Sequence, residues 1–195
     1  MTPDELLGAT VARPGHTVLE SGHHGELWLD LELLCLRPRE LERAVALLAE
    51  ELRSFDVEAV CGPLNEGAFV ALMVASRLDV EFTYAGRFEE KGGDRLFPVQ
   101  YRLPRALRSW VAGKRVVIVN DVINAGSAVR GAHATLLDCG AVPIAIAALV
   151  VLGDAATHFA AENNLRLISL AQWPNRIWIP AECPLCAVGV PLDEV

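Results

Sequence analysis

Apolar positions along the chain fall into two periods. From Pro38, a residue suited to the first turn of a helix, Leu41, Ala44, Val45, Leu48 and Leu52 recur at three- and four-residue spacing. That spacing predicts an amphipathic helix. Residues 17–31 read as extended, with Leu27, Leu29 and Leu31 alternating against Trp28 and Asp30. Short apolar runs at 59–61, 81–84, 116–119, 142–152 and 165–170 predict strands, and 68–78, 127–139 and 155–163 predict the helices between them. Thr2, Pro3, Asp4 and Glu5 have the chemistry of one more helix start. Residues 116–119, Val-Val-Ile-Val, do not alternate at all. That suits a central parallel strand covered on both faces. Strand and helix follow one another in turn, so the expected fold is α/β, a doubly wound parallel sheet.

The last 25 residues break this rhythm. Pro174, Pro180, Pro184 and Pro191 forbid a long helix, while Trp173, Trp178 and Ile179 need cover. The tail is expected to pack over the domain or over a partner subunit, a local cap being the plainer reading.

Composition bounds the rest. The chain has 195 residues, 52% of them hydrophobic, enough for one domain with a full core. No apolar run is long enough to span a membrane, and the opening MTPDELLGAT lacks the basic and apolar regions of a signal peptide. A cytoplasmic protein is expected. A net charge of −8 argues against a general nucleic-acid binder, yet the charge is uneven. Arg87, Lys91, Arg95, Arg102, Arg105, Arg108, Lys114 and Arg115 crowd the segment before the central strand, against Glu89, Glu90 and Asp94. A solvated basic loop would account for this; so would attraction of a polyanionic substrate.

Five cysteines in a chain without an export signal do not suggest a disulfide framework. Cys183 and Cys186 form a CPLC, but zinc usually needs four ligands and no second closely spaced Cys or His pair accompanies them. Packing or a tail turn is the expected role, with zinc shared across a dimer as the alternative. His23 and His24 are neighbours on an extended segment and point to opposite faces, so they are not expected to share a metal. They read as a surface and a turn histidine, His16 as a turn residue and His133 as structural.

The candidate chemistry lies where the central strand ends. Asn120 and Asp121 occupy its carboxyl end, where open α/β sheets hold ligands. Gly126 allows close approach of backbone to a ligand, and Ser127 is placed to cap the next helix, whose positive end would face the same spot. An anion fits there, and Asp121 beside it would accept hydrogen bonds from hydroxyls. A sugar phosphate satisfies both; a plain strand-turn-helix joint with a capping serine would need no ligand.

Residues 116–128, VVIVNDVINAGSA, resemble the phosphoribosyl pyrophosphate (PRPP) signature of type I phosphoribosyltransferases. The early segment PGHTVLESGHHGELWLDLELL, the stretch GPLNEGAFVALMVA and the ending IWIPAECPLCAVGVPLDEV are similar to the corresponding parts of orotate phosphoribosyltransferases. The resemblance implies transfer of ribose 5-phosphate from PRPP to orotate, with Mg²⁺, giving orotidine monophosphate and pyrophosphate. It implies a type I phosphoribosyltransferase-like sheet flanked by helices, with a small hood from both termini. Residues 1–36 would form the base-side hood segment, 37–170 the PRPP-binding core and 171–195 the tail. Asn120 and Asp121 would meet the ribose hydroxyls. Asn124, Ala125, Gly126, Ser127 and Ala128 would cradle the 5-phosphate, and Gly62, Asn65 and Gly67 the pyrophosphate. Arg87, Lys91 and Arg95 would lie on a mobile loop that closes the site across a homodimer, and Trp28 and Ser21 would stand by the base.

Departures from the family pattern are Asn120 in place of an acid, Glu66 in the pyrophosphate loop, Phe88 and Gly93 in the mobile loop, and Asp154 where many members place an orotate-pairing arginine. They leave three further readings open: a transferase for another base, a non-catalytic PRPP-binding regulator, and an interaction subunit whose partner supplies the missing charge.

Overall fold

Chain order and sheet order differ in a way that creates a cleft. The computed structural model describes residues 11–30, 32–89, 96 and 99–193; the expected helix start at 2–5, together with Lys91, Gly93 and Arg95, lies outside them. The main sheet comprises β3 (Ala59–Pro63), β4 (Glu81–Glu89), β5 (Val99–Arg102), β6 (Arg115–Ile123), β7 (Val142–Leu152) and β8 (Arg166–Trp173). Its strand order is β5-β4-β3-β6-β7-β8, parallel throughout except for the antiparallel edge strand β5. From β3 the chain winds outward to β4, then crosses back to set β6 on β3's other side. The carboxyl ends of β3 and β6 therefore form the switch point at which such sheets bind ligands.

Helices cover both faces, as the unbroken apolar run of β6 requires. Val117 and Val119 pack into the cluster that holds α2 (Pro38–Leu52) and α3 (Glu66–Leu78). Val116 and Ile118 face the other way, into the cluster that holds α4 (Ser127–Asp138) and α5 (Ala155–Glu162). The predicted apolar face of α2 is its buried face: Leu41, Ala44, Val45, Leu48 and Leu52 are all sealed from solvent.

Two expectations needed correction. The extended segment at 17–31 is a hairpin, β1 (Val11–Val18) and β2 (His24–Asp30), joined by a turn at 19–23. The polar connection after residue 84 carries the second half of β4 and all of β5, because an edge strand tolerates charged side chains on its open flank. A four-residue helix, α1 (Glu32–Cys35), links the hairpin to α2.

The tail leaves β8 and crosses to the hairpin, where β9 (Ile177–Trp178) pairs antiparallel with β2. This completes a three-stranded sheet, β1-β2-β9, the hood. The short helix α6 (Pro184–Ala187) follows. All five cysteines are free thiols. No helix among the described residues is long and apolar enough to cross a membrane.

Candidate active site

Three loops converge on a cleft of about 290 Å³ at the switch point. The turn after β3 brings Asn65 and the start of α3 brings Glu66 and Gly67; the end of β6 and the turn into α4 bring Asn120, Asp121 and residues 124–128; the hood contributes Glu20, Ser21 and Trp28. In the first of these loops the Leu64–Asn65 peptide is cis.

Asp121 is the chemical centre of this cleft. Burial pushes its carboxyl up from 3.8 to about 7, with the Glu66 charge adding to the rise and the backbone N–H groups of Val122 and Asp121 opposing it. Two carboxyl groups thus face one cavity that would hold an anion, and a cation or hydroxyl donors between them would relieve the conflict.

Asn120, 7% exposed, donates its side-chain amide to the Val122 carbonyl at 2.6 Å, a bond a carboxylate cannot make. Its Oδ1 lies where a Cβ on Gly67 would come within 2.0 Å, so the two loops touch through Asn120 and a glycine. Gly126, at φ 82°, is the residue that caps α4, and its left-handed backbone needs the missing side chain. The first amide groups of α4, which lack intrahelical partners, border the cleft.

Ser127 does not cap the helix, contrary to expectation. It is the first helical residue, and its hydroxyl donates to Glu20 at 2.8 Å. The Tyr101 hydroxyl donates to both oxygens of the same carboxylate at 3.0 and 3.1 Å, and Arg87 pairs with it at 3.3 Å. Burial, then the neighbouring Glu20 charge, holds the Tyr101 phenol above its ordinary range. Glu20 and Tyr101 escaped the sequence reading. The signals were there: a lone acid in the turn before Ser21, and buried Val99, Tyr101 and Leu103 alternating with exposed Arg102.

The structure redistributes the other expected site residues. Gly62 is buried outside the cleft wall; a methyl there would lie 2.6 Å from Ala68 Cα, so this glycine lets α3 pack on β3. Arg87 sits in strand β4 opposite Tyr101, not on a loop. Lys91 and Arg95 lie outside the described residues. Lys114 pairs with Glu81, and Arg115 with Asp56 and Glu58, near the amino end of β6. At about 3.3 Å per residue that is roughly 20 Å from Asp121, so these two do not serve the cleft. Ser21 is fully buried, its hydroxyl engaged with the His23 ring at 3.0 Å. His133 packs edge-on against Phe159 and is structural, as expected.

Asp154 is exposed and lines a neighbouring cleft with Trp173, Asn175 and Arg176, which meets the first at Asn124 and Leu152. Asn175 donates to Asn124 at 3.0 Å, tying the tail to the phosphate-sized loop. Cys183 and Cys186 are not an isolated pair: His16 and His24 stand with them in one cluster. The expectation that no second ligand pair accompanies them fails because that pair arrives from the hairpin, far away in sequence.

Comparison with known proteins agrees with this geometry. The phosphoribosyl transferase domain model matches residues 37–180. The orotate phosphoribosyltransferase of Carboxydothermus hydrogenoformans is 30% identical over 180 residues, covering 91% of this chain and 87% of its own. That of Thermotoga maritima is 27% identical over 191 residues, covering 97% and 95%. Among solved structures, orotate phosphoribosyltransferase from Aeropyrum pernix superposes with a TM-score of 0.63 at 28% identity, over 86% of this chain and 90% of that one. Adenine phosphoribosyltransferase from Thermoanaerobacter pseudethanolicus superposes at 0.69 with 18% identity, over 88% and 100%, a likeness of fold alone. With its switch-point cleft, its signature strand and these relatives, the chain belongs to the phosphoribosyltransferase family, with orotate phosphoribosyltransferases among its relatives.

Proposed function

We propose that this protein transfers ribose 5-phosphate from PRPP to a ring nitrogen of orotate, releasing pyrophosphate. The observation that carries the reading is the meeting, in one cleft, of the desolvated Asp121 carboxyl, the helix-start loop at 124–128 and the start of α3 at 65–67. Each matches one part of PRPP: hydroxyls, 5-phosphate and pyrophosphate.

In this reaction the anomeric carbon parts from pyrophosphate, which leaves with the bonding electrons, largely before the base nitrogen donates its pair to that carbon. Positive charge grows on the ribose. Asp121 accepts hydrogen bonds from the ribose hydroxyls and favours that charge through its carboxylate form. The residues at 124–128 fix the phosphate end, so the sugar meets the base in a set geometry. Mg²⁺ arriving with PRPP would supply positive charge for the pyrophosphate. Asp121 and Glu66 suit that ion, since each raises the need for a cation beside the other. Under this reading Glu66 would help hold the metal and would not oppose pyrophosphate.

Trp28 and Leu27 offer the apolar wall on the hood side of the cleft, suited to a flat ring. Asp154 lines the adjoining cleft and not this one, which lessens its conflict with an anionic base. Arg176 lines the same adjoining cleft and is held there by a two-pronged pair to Glu26 at 2.9 Å. A cytoplasmic homodimer, with Lys91 and Arg95 on the segment that closes the site, is the setting this reading expects.

The test is mass spectrometry of the full chain incubated with PRPP, Mg²⁺ and orotate, beside Asp121→Ala. Orotidine monophosphate formed by the wild type and not by the variant is expected. PRPP consumed only with another base would move the specificity, and PRPP bound without any pyrophosphate release would leave a binding protein.

A further inference from the structure

We propose that His16, His24, Cys183 and Cys186 form a tetrahedral zinc site that fastens the carboxyl-terminal tail to the hood. Their ligand atoms all lie within 4.8 Å of one another.

The fold assembles the four from three places. Val18 pairs with His24 across the hairpin, and the irregular stretch of β1 between Pro14 and Thr17 sets the His16 ring against that of His24. On the other flank of β2, His24 pairs with Trp178 of β9. From there the 3₁₀ turn Pro180–Glu182 brings Cys183 and Cys186 back over both histidines. The hood strands and the tail turn meet at this one point.

The distances fit a metal better than a hydrogen-bond network. His16 Nε2 lies 3.0 Å from His24 Nδ1, 3.4 Å from Cys183 Sγ and 3.6 Å from Cys186 Sγ, and Cys186 Sγ lies 3.3 Å from His24 Nδ1. A ring nitrogen has either one hydrogen or one lone pair, so it serves one partner well and not three. A zinc ion bonded at about 2.0–2.1 Å to nitrogen and about 2.3 Å to sulfur sets its tetrahedral ligands about 3.3–3.8 Å apart. Three of these four separations fall within that range and the His16 and His24 nitrogens stand 0.3 Å closer than its lower end; one central cation satisfies all four groups together.

The surroundings prepare the ligands. The Val190 carbonyl lies 2.8 Å from His16 Nδ1 and can only accept, which puts the ring proton on Nδ1 and leaves the Nε2 lone pair facing the cluster. Orientation of a histidine ligand by a carbonyl behind it is the usual support of a zinc site. Asp193 accepts from the His16 backbone N–H at 2.7 Å and returns its own N–H to the His16 carbonyl at 2.7 Å. Gly15 is part of this arrangement, because a side chain there would strike the Asp193 carboxylate at 2.2 Å. His16 is 1% exposed and Cys183 3%, while Cys186 is open on one side, which gives an ion a way in. Soft sulfur with imidazole in a closed set of four selects zinc over magnesium or calcium.

The role is structural, since four protein ligands leave no open position for substrate. A three-stranded hood has little core of its own, and a metal tie supplies what burial does not. The turn at 19–23 that carries Glu20 to the cleft begins and ends beside this tie.

The test uses the full chain. Zinc measured by plasma mass spectrometry after gel filtration is expected at about one equivalent per chain. Cobalt added to chelator-treated protein is expected to give the intense visible bands of a tetrahedral ion and a thiolate charge-transfer band. Chelation should lower the unfolding midpoint and zinc should restore it. Cys186→Ser, at an exposed position, should lose most of the zinc, while Cys139→Ser should keep it. A six-coordinate cobalt spectrum, or zinc no higher in the wild type than in Cys186→Ser, would overturn the proposal. So would an intact mass short of two hydrogens, marking a Cys183–Cys186 disulfide. The cobalt spectrum needs only wild-type protein, so a poorly folding variant does not blunt the test, and none of these readouts depends on catalysis.

Discussion

Replacing Asp121 with asparagine should stabilise the ligand-free protein while removing its activity. Its carboxyl is held at about 7 in the folded state against an ordinary 3.8. A tenfold change in proton affinity corresponds to about 1.4 kcal/mol, so the ionised carboxylate weakens the folded state by at most on the order of 4 kcal/mol. The sign follows from proton counting. Between the two values the folded state holds a proton that the unfolded state has released, so stability falls as pH rises. Above about pH 7 the folded state has released it too, and the penalty is complete. The neutral amide of the variant carries no such penalty. Urea unfolding without Mg²⁺ or PRPP should therefore find D121N more stable than the wild type by about 2–4 kcal/mol near pH 8.5, shrinking to about 1–2 kcal/mol near pH 5. A variant gain that is absent at high pH, or independent of pH, would refute the assignment of burial and the Glu66 charge as the cause. Added Mg²⁺ and PRPP should narrow the gap by stabilising the wild type alone.

Two substitutions probe the contacts around this group. In Glu20→Gln the charge that occupies the Ser127 hydroxyl is lost; removal of about 1–2 kcal/mol of repulsion should tighten ribose 5-phosphate binding roughly tenfold by calorimetry, and unchanged or weaker binding would count against it. Gly62→Ala places a methyl 2.6 Å from the Ala68 backbone, so it should destabilise the fold by about 1–3 kcal/mol, read as a midpoint lowered by several degrees. A Gly62→Ala protein as stable as the wild type would mean that α3 moves freely on β3.

What could be read in the sequence was what rests on local periodicity. The apolar face of α2, the unbroken run of β6 and the boundaries of β7 depend on neighbours in the chain, and the structure keeps them. The turn at 124–128 likewise falls at the cleft, because glycine and small residues after a buried strand leave few alternatives. The misses came from contacts between distant segments. Ser127 had the chemistry of a cap, but Glu20, 107 residues earlier, takes its hydroxyl. His16 and Cys183 are 167 residues apart, and only the pairing of β9 with β2 brings them together. Gly62 sits in a glycine-bounded loop pattern yet serves helix packing, a distinction that spacing alone does not carry.

The contact between Gly67 and Asn120 makes the two segments of the cleft wall a single evolutionary unit. Asn120 Oδ1 fills the volume that any side chain at 67 would claim, and the amide's other end is committed to Val122. A side chain added at 67 alone meets an occupied space, so a library that varies residues 65–67 with position 120 held fixed would recover almost only glycine at 67. Productive diversification at 67 has to move position 120 in the same step.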